Sequence, residues 1–263
     1  MGAKDISLIS VFLCFLLLIV PVAIFLRFKV QLIKSLLSSV ARMTLQLFLA
    51  GVYLQFIFRW NNVFINILWL MIMVTAATIT VLRSTNLNIR KLFLSIFCSF
   101  LITVIAVLVY FNWVVIGLEV IFDSRYVIVI GGMLLGNSLR GSIVGLNSIY
   151  QQLKKSESCY LYCLAGGATK FEALMPYLQD SLKFALMPTI ASMATIGLVH
   201  LPGMMTGQIL GGSNPMVAVK YQITIMIAIF TVTSLNVVLT FLFSIYASFN
   251  RYGVIKKGIW KNH

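Results

Sequence analysis

Apolar runs of 20 or more residues recur along the whole chain, and this repetition limits its possible folds more than any other feature. A helical run of about 20 apolar residues matches the thickness of a bilayer. The chain is also only 10% charged, against about 25% in ordinary soluble domains, which excludes a soluble globule. We therefore predict one all-α, polytopic membrane domain over residues 1–263 with about seven transmembrane helices. The predicted spans are 6–26, 36–58, 63–82, 92–116, 126–150, 184–211 and 217–247.

The basic residues are sorted between the two sides of these predicted helices. They give a net charge of +14 and concentrate in the segments 27–34, 83–91, 154–183 and 251–261, which all fall on one side. The opposite side holds only Lys4, Arg59, Arg125 and Lys220. Because basic residues favour the cytoplasmic side, we predict an outside N-terminus, a cytoplasmic C-terminus and a cytoplasmic loop at 151–183. The charge therefore indicates topology and not nucleic-acid binding.

The fifth predicted span combines polar side chains with glycines spaced four residues apart. Small residues at this spacing let a second helix approach closely in lipid. Asn137 and Arg140 lie on the same helix, and an arginine within a membrane has to face protein or water. The span is either a close-packing helix only, or one that borders a translocation path through Asn137 and Arg140. The glycines are Gly132, Gly136, Gly141 and Gly145.

Pro202 followed by Gly203 predicts a break near the end of the sixth span. Broken backbone at membrane depth is tolerated only inside protein or beside a wet cavity. This favours Pro202, Gly203, Met204 and Met205 as a gate, and the alternative is a turn between two helices at the outer leaflet. Methionine thioethers suit a soft transition metal, but methionine also fills gaps in apolar chains. The metal ligands, if there are any, stay unassigned.

The predicted cytoplasmic loop mixes charged and apolar residues around two glycines. We predict a short helix over 157–165, a break at 166–167 and a second, amphipathic helix that begins near Thr169 as its cap. The spacing of Phe171, Leu174 and Leu178 predicts one apolar stripe. This second helix either lies on the lipid surface or docks into a cytoplasmic partner.

The chain carries no recognisable means of driving transport by itself. All six acidic residues fall at the ends of spans or in loops, which disfavours a proton-driven carrier. A phosphate-binding GxxxxGK[ST] motif is missing from the sequence, and so are the motifs of metalloproteases and serine hydrolases. We therefore predict no enzymatic activity in this chain, and either a partner that supplies energy or a passive role.

Four segments together resemble the FetB-type permeases, the membrane subunits of an ABC exporter linked to iron efflux and related to plant aluminium-tolerance permeases. The most specific segment is Leu-Pro-Gly-Met-Met-Thr-Gly at 201–207, and the others are 132–139, 165–173 and 220–223. The resemblance extends from about residue 36 to residue 245.

The resemblance implies an inner-membrane permease that exports a metal cation such as iron, as a homodimer in the lipid bilayer with a separate ABC ATPase. ATP and Mg²⁺ would be bound by that partner, and this chain would bind no cofactor. The implied ATPase-coupling residues are Gly167, Ala168, Thr169 and Glu172, and the apolar stripe adds Phe171 to them. The implied path residues are Asn137, Pro202, Gly203, Met204 and Met205. Arg140 joins the path residues from its place in the membrane helix, and it departs from the family, in which an apolar residue is expected there.

Two alternatives stay open for the function. An anionic metabolite or nucleotide sugar would suit the basic membrane residues better than a hard cation, which requires several oxygen ligands. A passive channel or membrane scaffold would require no ATPase at all.

Overall fold

A computed structural model describes residues 6–250, 252–256 and 258–259. Across these residues the chain is helical and forms no β-strand, which confirms the predicted all-α class. The fifth helix continues as a π-helix over Phe111–Ile116. The helices are α1 (Leu8–Cys14), α2 (Ile19–Arg27), α3 (Ile33–Trp60), α4 (Val63–Ser84), α5 (Ile89–Tyr110), α6 (Ser124–Lys155), α7 (Glu157–Ala165), α8 (Lys170–Thr195), α9 (Gly203–Leu210) and α10 (Pro215–Ser248).

Within the described residues, six helical segments are long and apolar enough to cross a membrane. They correspond to six of the seven predicted spans, and the first combines α1, a 3₁₀ turn and α2. Short polar side chains set the starts of several of these helices, because Asn62, Asn88, Asp123 and Asn214 each accept a hydrogen bond from a backbone N–H of the first turn. Such caps satisfy donors that would otherwise lack a partner.

The predicted span 184–211 is wrong as a single helix. α8 begins earlier, at Lys170, and ends at Thr195; a loop and the separate helix α9 follow. The physical reason is at both ends. A capping box at Thr169 starts the helix, and Gly197, at φ +88°, together with Pro202 stops its continuation.

The core of the bundle is formed by α4, α5, α6, α8 and α10. α6 and α10 approach closely, because a Cβ at Gly141 or Gly145 would lie within 2.8 Å of a side-chain atom of α10. A buried polar cluster also joins three helices. Asn236 of α10 accepts a hydrogen bond from Ser99 of α5 (2.8 Å) and donates one to Ser142 of α6 (2.9 Å).

α1, α2 and α3 lie at the edge of this core. Ile57 is the only residue of α3 that is buried, and the ring centroids of Tyr53 and Trp69 lie 4.3 Å apart where α3 meets α4. Arg42 and Gln46 of α3 are exposed. The polar face of α3 therefore makes no contribution to the bundle core.

The turn between α7 and α8, at residues 166–169, is called the elbow here. The end of the bundle that holds it, the elbow end, brings together α7, the α4–α5 turn and the C-terminal segment. The hydroxyl of Tyr160 donates to the carbonyl of Gly253 at 2.7 Å, and the Asn88 side-chain amide donates to the carbonyl of Gly258 at 3.0 Å. Ile259 is fully buried in the core. The described part of the C-terminal segment thus ties α7 to the membrane helices, and three of the basic segments share this end.

Candidate functional site

A cavity of about 510 Å³ lies between α6, α8, α10 and the start of α9. Five of the six predicted path residues line it, namely Asn137, Arg140, Pro202, Gly203 and Met204. Met205 does not line it. The chain breaks before Gly203, and Pro202 occupies the position that precedes α9. α9 contacts α10, which places Pro202, Gly203 and Met204 in the cavity wall.

Arg140 supplies the charge of this cavity. It lies at the midpoint of the 32-residue helix α6 and its side chain is exposed. No described residue pairs with it, and no aspartate or glutamate lines the cavity. A guanidinium keeps its charge in proteins, so the cavity has a net positive wall.

Three further polar side chains, which sequence reasoning missed, face the same space. Thr189 and Ser192 come from α8 and Gln222 from α10. Gln222 is only 5% exposed, and its Oε1 atom has no hydrogen-bond partner in the described structure. The available signal was Gln222 itself, a carboxamide in a mostly apolar span. Thr189 and Ser192 lay inside the predicted span 184–211, but single hydroxyl residues in an apolar run give no local signal of the direction that they face.

Methionines form part of the apolar wall. Met133, Met204 and Met226 line the cavity, and Met193 lines an adjoining pocket of about 270 Å³ that shares Gln222 and Met226. Among the described residues, no group of three or more His, Cys, Asp or Glu side chains is placed to hold a metal ion. His200 is exposed and outside the cavity lining.

The elbow between α7 and α8 is the second candidate site. The predicted helix 157–165, the break at the two glycines and the Thr169 cap are all confirmed. The Glu172 N–H donates to the Thr169 hydroxyl, and Glu172 Oε2 accepts from the Thr169 hydroxyl and from its N–H, both at 2.7 Å. These hydrogen bonds from Thr169 lower the pKa of Glu172. Gly167, at φ +95°, makes the turn.

The predicted apolar stripe at 171, 174 and 178 is divided between two surfaces. Leu174 is buried in the core and Leu178 packs against it, whereas Phe171 is 47% exposed. Lys170 Nζ lies 5.4 Å from the centroid of the Phe171 ring. Tyr162 adds a second exposed aromatic side chain, at 81% exposure. The elbow therefore presents aromatic groups beside basic charge, on a frame fixed by its capping box.

α7 is also held in place by contacts of Tyr160 with residues that follow α10. Tyr160 is buried, its ring packs edge-on against Phe249, and burial raises its pKa to about 12. Cys159 and Cys163 on the same helix are free and exposed, so nothing links them to each other. The elbow is thus anchored by the described part of the C-terminal segment through Tyr160.

Comparisons with known proteins give a family and several relatives. The model of the family described as "Uncharacterised protein family (UPF0014)" matches residues 8–249. The chain is 32% identical to UPF0014 membrane protein YjkA of Bacillus subtilis over 80% of this chain and 83% of that protein. It is 29% identical to the probable iron export permease protein FetB of Escherichia coli, over 91% of both chains. It is 33% identical to protein ALUMINUM SENSITIVE 3 of Arabidopsis thaliana, over 80% of this chain and 76% of that protein. No solved structure matches the chain with significance.

Proposed function

We propose that this chain, which belongs to the UPF0014 family, is the permease subunit of an ABC exporter that moves metal cations such as iron out of the cytoplasm. A separate subunit would hydrolyse the ATP, and two copies of the permease would form the membrane part in the inner membrane. The N-terminus would lie outside and the elbow end in the cytoplasm. The iron assignment rests on the name of the FetB relative.

The exposed elbow between α7 and α8 supports the proposal that an ATPase subunit docks on this chain. Gly167 lies at an exposed turn where an added Cβ would meet nothing within 4 Å, so the turn has free space around it. Phe171 and Tyr162 expose aromatic surface beside it, and such side chains are enriched where proteins dock. The capping box fixes the start of α8, so a partner would bind a rigid element there.

α8 would couple movement at the elbow to movement of the cavity wall. The helix begins at the elbow, and its second half lines the cavity through Ala185, Pro188, Thr189 and Ser192. A movement imposed at Thr169 would reach the cavity wall about 30 Å away through one continuous helix. Closure of the partner ATPases would therefore shift the cavity between two accessible states, as a rigid-body change.

Co-purification in mild detergent tests the partner. We expect a Walker-A-bearing polypeptide to co-purify with the wild-type chain and to be lost from Gly167→Val, because a β-branched residue strains a turn at φ +95°. Gly117→Val is the matched control, since Gly117 also has a positive φ, +73°, and open space but lies away from the elbow. Retention of the ATPase by Gly167→Val would refute the elbow as the docking element. If no ATPase co-purifies with wild type, a passive channel replaces the proposal.

Metal export is tested separately in cells. Cells that lack the permease should accumulate more iron than cells that express it, and Gly167→Val should fail to restore export. Equal iron content in all three strains would contradict the cargo and leave the ATPase result unaffected.

A further inference from the structure

The cavity has a chemical character that a free metal cation does not match. Its one charged wall residue is Arg140, and no carboxylate lines it. Hard cations require several oxygen ligands, with carboxylates foremost; iron recruits imidazole, thiolate or carboxylate, and methionine thioethers suit only softer metals. Within the described part of the chain, no such cluster exists. A bare cation would therefore meet repulsion from Arg140 and few ligands.

The position of Arg140 shows that this charge requires compensation. It lies at the centre of a membrane-spanning helix, where an arginine is costly unless it faces protein or water. Its side chain opens onto the cavity, and no described residue supplies a counter-ion there. An anion in the cavity would supply the charge that the protein itself does not.

Gln222 gives an independent indication of a polar ligand. Its side chain is 5% exposed, and its buried Oε1 lacks a hydrogen-bond partner in the described structure. A buried acceptor without a partner costs free energy. The Nε2 end of the carboxamide is the one that donates to an anion, and the two ends exchange places when the amide turns over. The hydroxyls of Thr189 and Ser192 line the same wall without a described side-chain partner and are equally able to donate.

We propose that this cavity binds an oxyanion, a carboxylate or phosphate group, with Arg140 as the charged anchor and Gln222, Thr189 and Ser192 as hydrogen-bond donors. Arginine presents several N–H groups in a planar fork that fits such groups with two hydrogen bonds. This inference deepens the proposed function, on which it rests for the role of the cavity as the transport path. A metal would then cross as its anionic complex.

The methionine wall is compatible with such a ligand. Met133, Met204 and Met226 are neutral and unbranched, so they adapt to ligands of different shape without adding charge. A volume of about 510 Å³ exceeds that of a bare ion and falls in the range of cavities that hold small organic molecules.

Binding to the purified permease, measured by calorimetry in chloride buffer without any ATPase, tests the proposal. The probes are citrate, ferric citrate and ferrous chloride. We expect both citrate probes to bind, and Arg140→Gln to weaken that binding by about 10- to 100-fold, the usual effect of losing a charged hydrogen-bond partner. Arg42→Gln is the matched control, because Arg42 is an exposed arginine of α3 outside the cavity.

A second variant separates binding from folding. Gln222→Leu removes the unpartnered amide, so we expect an unchanged or higher melting temperature together with weaker citrate binding. Tighter binding of ferric citrate than of citrate would identify the metal complex as the ligand, whereas equal binding would identify the free anion, and both support an oxyanion site.

Three results would overturn it: citrate that does not bind, Arg140→Gln that binds citrate as tightly as wild type, or ferrous chloride that binds while citrate does not. Because no ATPase is present, this outcome is independent of the co-purification result. A permease that binds citrate but recruits no ATPase would refute the proposed exporter and leave the oxyanion site standing.

Discussion

Two glycines of α6 should respond differently to the same substitution. A Cβ at Gly145 would lie 2.8 Å from Cζ and 3.0 Å from Cε1 of Phe241, whose side chain is 3% exposed. A Cβ at Gly136 would meet nothing within 4 Å. Alanine gains about 1 kcal/mol of helix propensity over glycine at both sites, but at Gly145 it also overpacks the α6–α10 contact, at a cost of about 1–3 kcal/mol.

The difference between Gly145→Ala and Gly136→Ala isolates the packing cost, because the propensity gain is common to both. At about 2–4 °C per kcal/mol for a chain of this size, Gly145→Ala should melt about 2 to 12 °C below Gly136→Ala. Intrinsic tryptophan fluorescence on heating, with both proteins in the same detergent, measures this difference. Equal melting temperatures would refute the close approach of α6 and α10 at Gly145.

Three other variants test the buried cluster, the anchor of α7 and the cap of α8. Asn236→Leu should lower stability by about 1–3 kcal/mol in the same melting assay, because it leaves the buried Ser142 hydroxyl without its hydrogen-bond partner in the core. Tyr160→Phe should lose about 1 kcal/mol with the hydrogen bond to Gly253. The folded pKa of Tyr160 is raised to about 12. The free energy that its neutral side chain contributes to folding is therefore present below the ordinary pKa of 10.0 and is lost as the pH rises through about 12. The difference in phenolate absorbance between wild type and variant measures this titration. The pKa of Glu172 is lowered by its bonds to Thr169, so the cap should hold above the ordinary carboxyl value of 4.5 and weaken as the pH falls through the lower folded value. Hydrogen exchange at the start of α8 measures this, and Glu172→Gln should abolish the pH dependence.

Local signals in the sequence were sufficient for the elbow and for most helices. Thr169 with Glu172 three residues later is a complete capping box, and its effect acts within one turn. The glycines at 166–167 likewise fix the end of α7 by local backbone geometry. Long apolar runs fixed six spans because a bilayer imposes their length.

Contacts between distant residues could not be predicted in this way. Hydropathy placed the sixth span at 184–211 because the first half of α8 carries charged residues such as Asp180 and Lys183, which a helix near the bilayer surface tolerates. The tie between Tyr160 and Gly253 joins residues 93 positions apart, and no local pattern reports it. Gln222 was visible as a polar residue, but Arg140, Thr189 and Ser192, which line the same cavity, lie on other helices.

The two candidate sites are linked by α8, and its two internal prolines bear on how. Pro176 and Pro188 lack the N–H that would bond the carbonyls four residues earlier. Pro176 lies just after the capping box, and Pro188 lines the cavity. Each therefore weakens the helix ladder next to one of the sites, while the segment between them keeps its own bonds and packs on α6 through the buried residues Ser181 and Ala185. A displacement at the elbow would bend the helix at these two points, and the segment between them would move as one rigid unit. Ala185 at the end of that segment lines the cavity, so under the proposed function a movement imposed by the partner would reach the cavity wall through this part of α8.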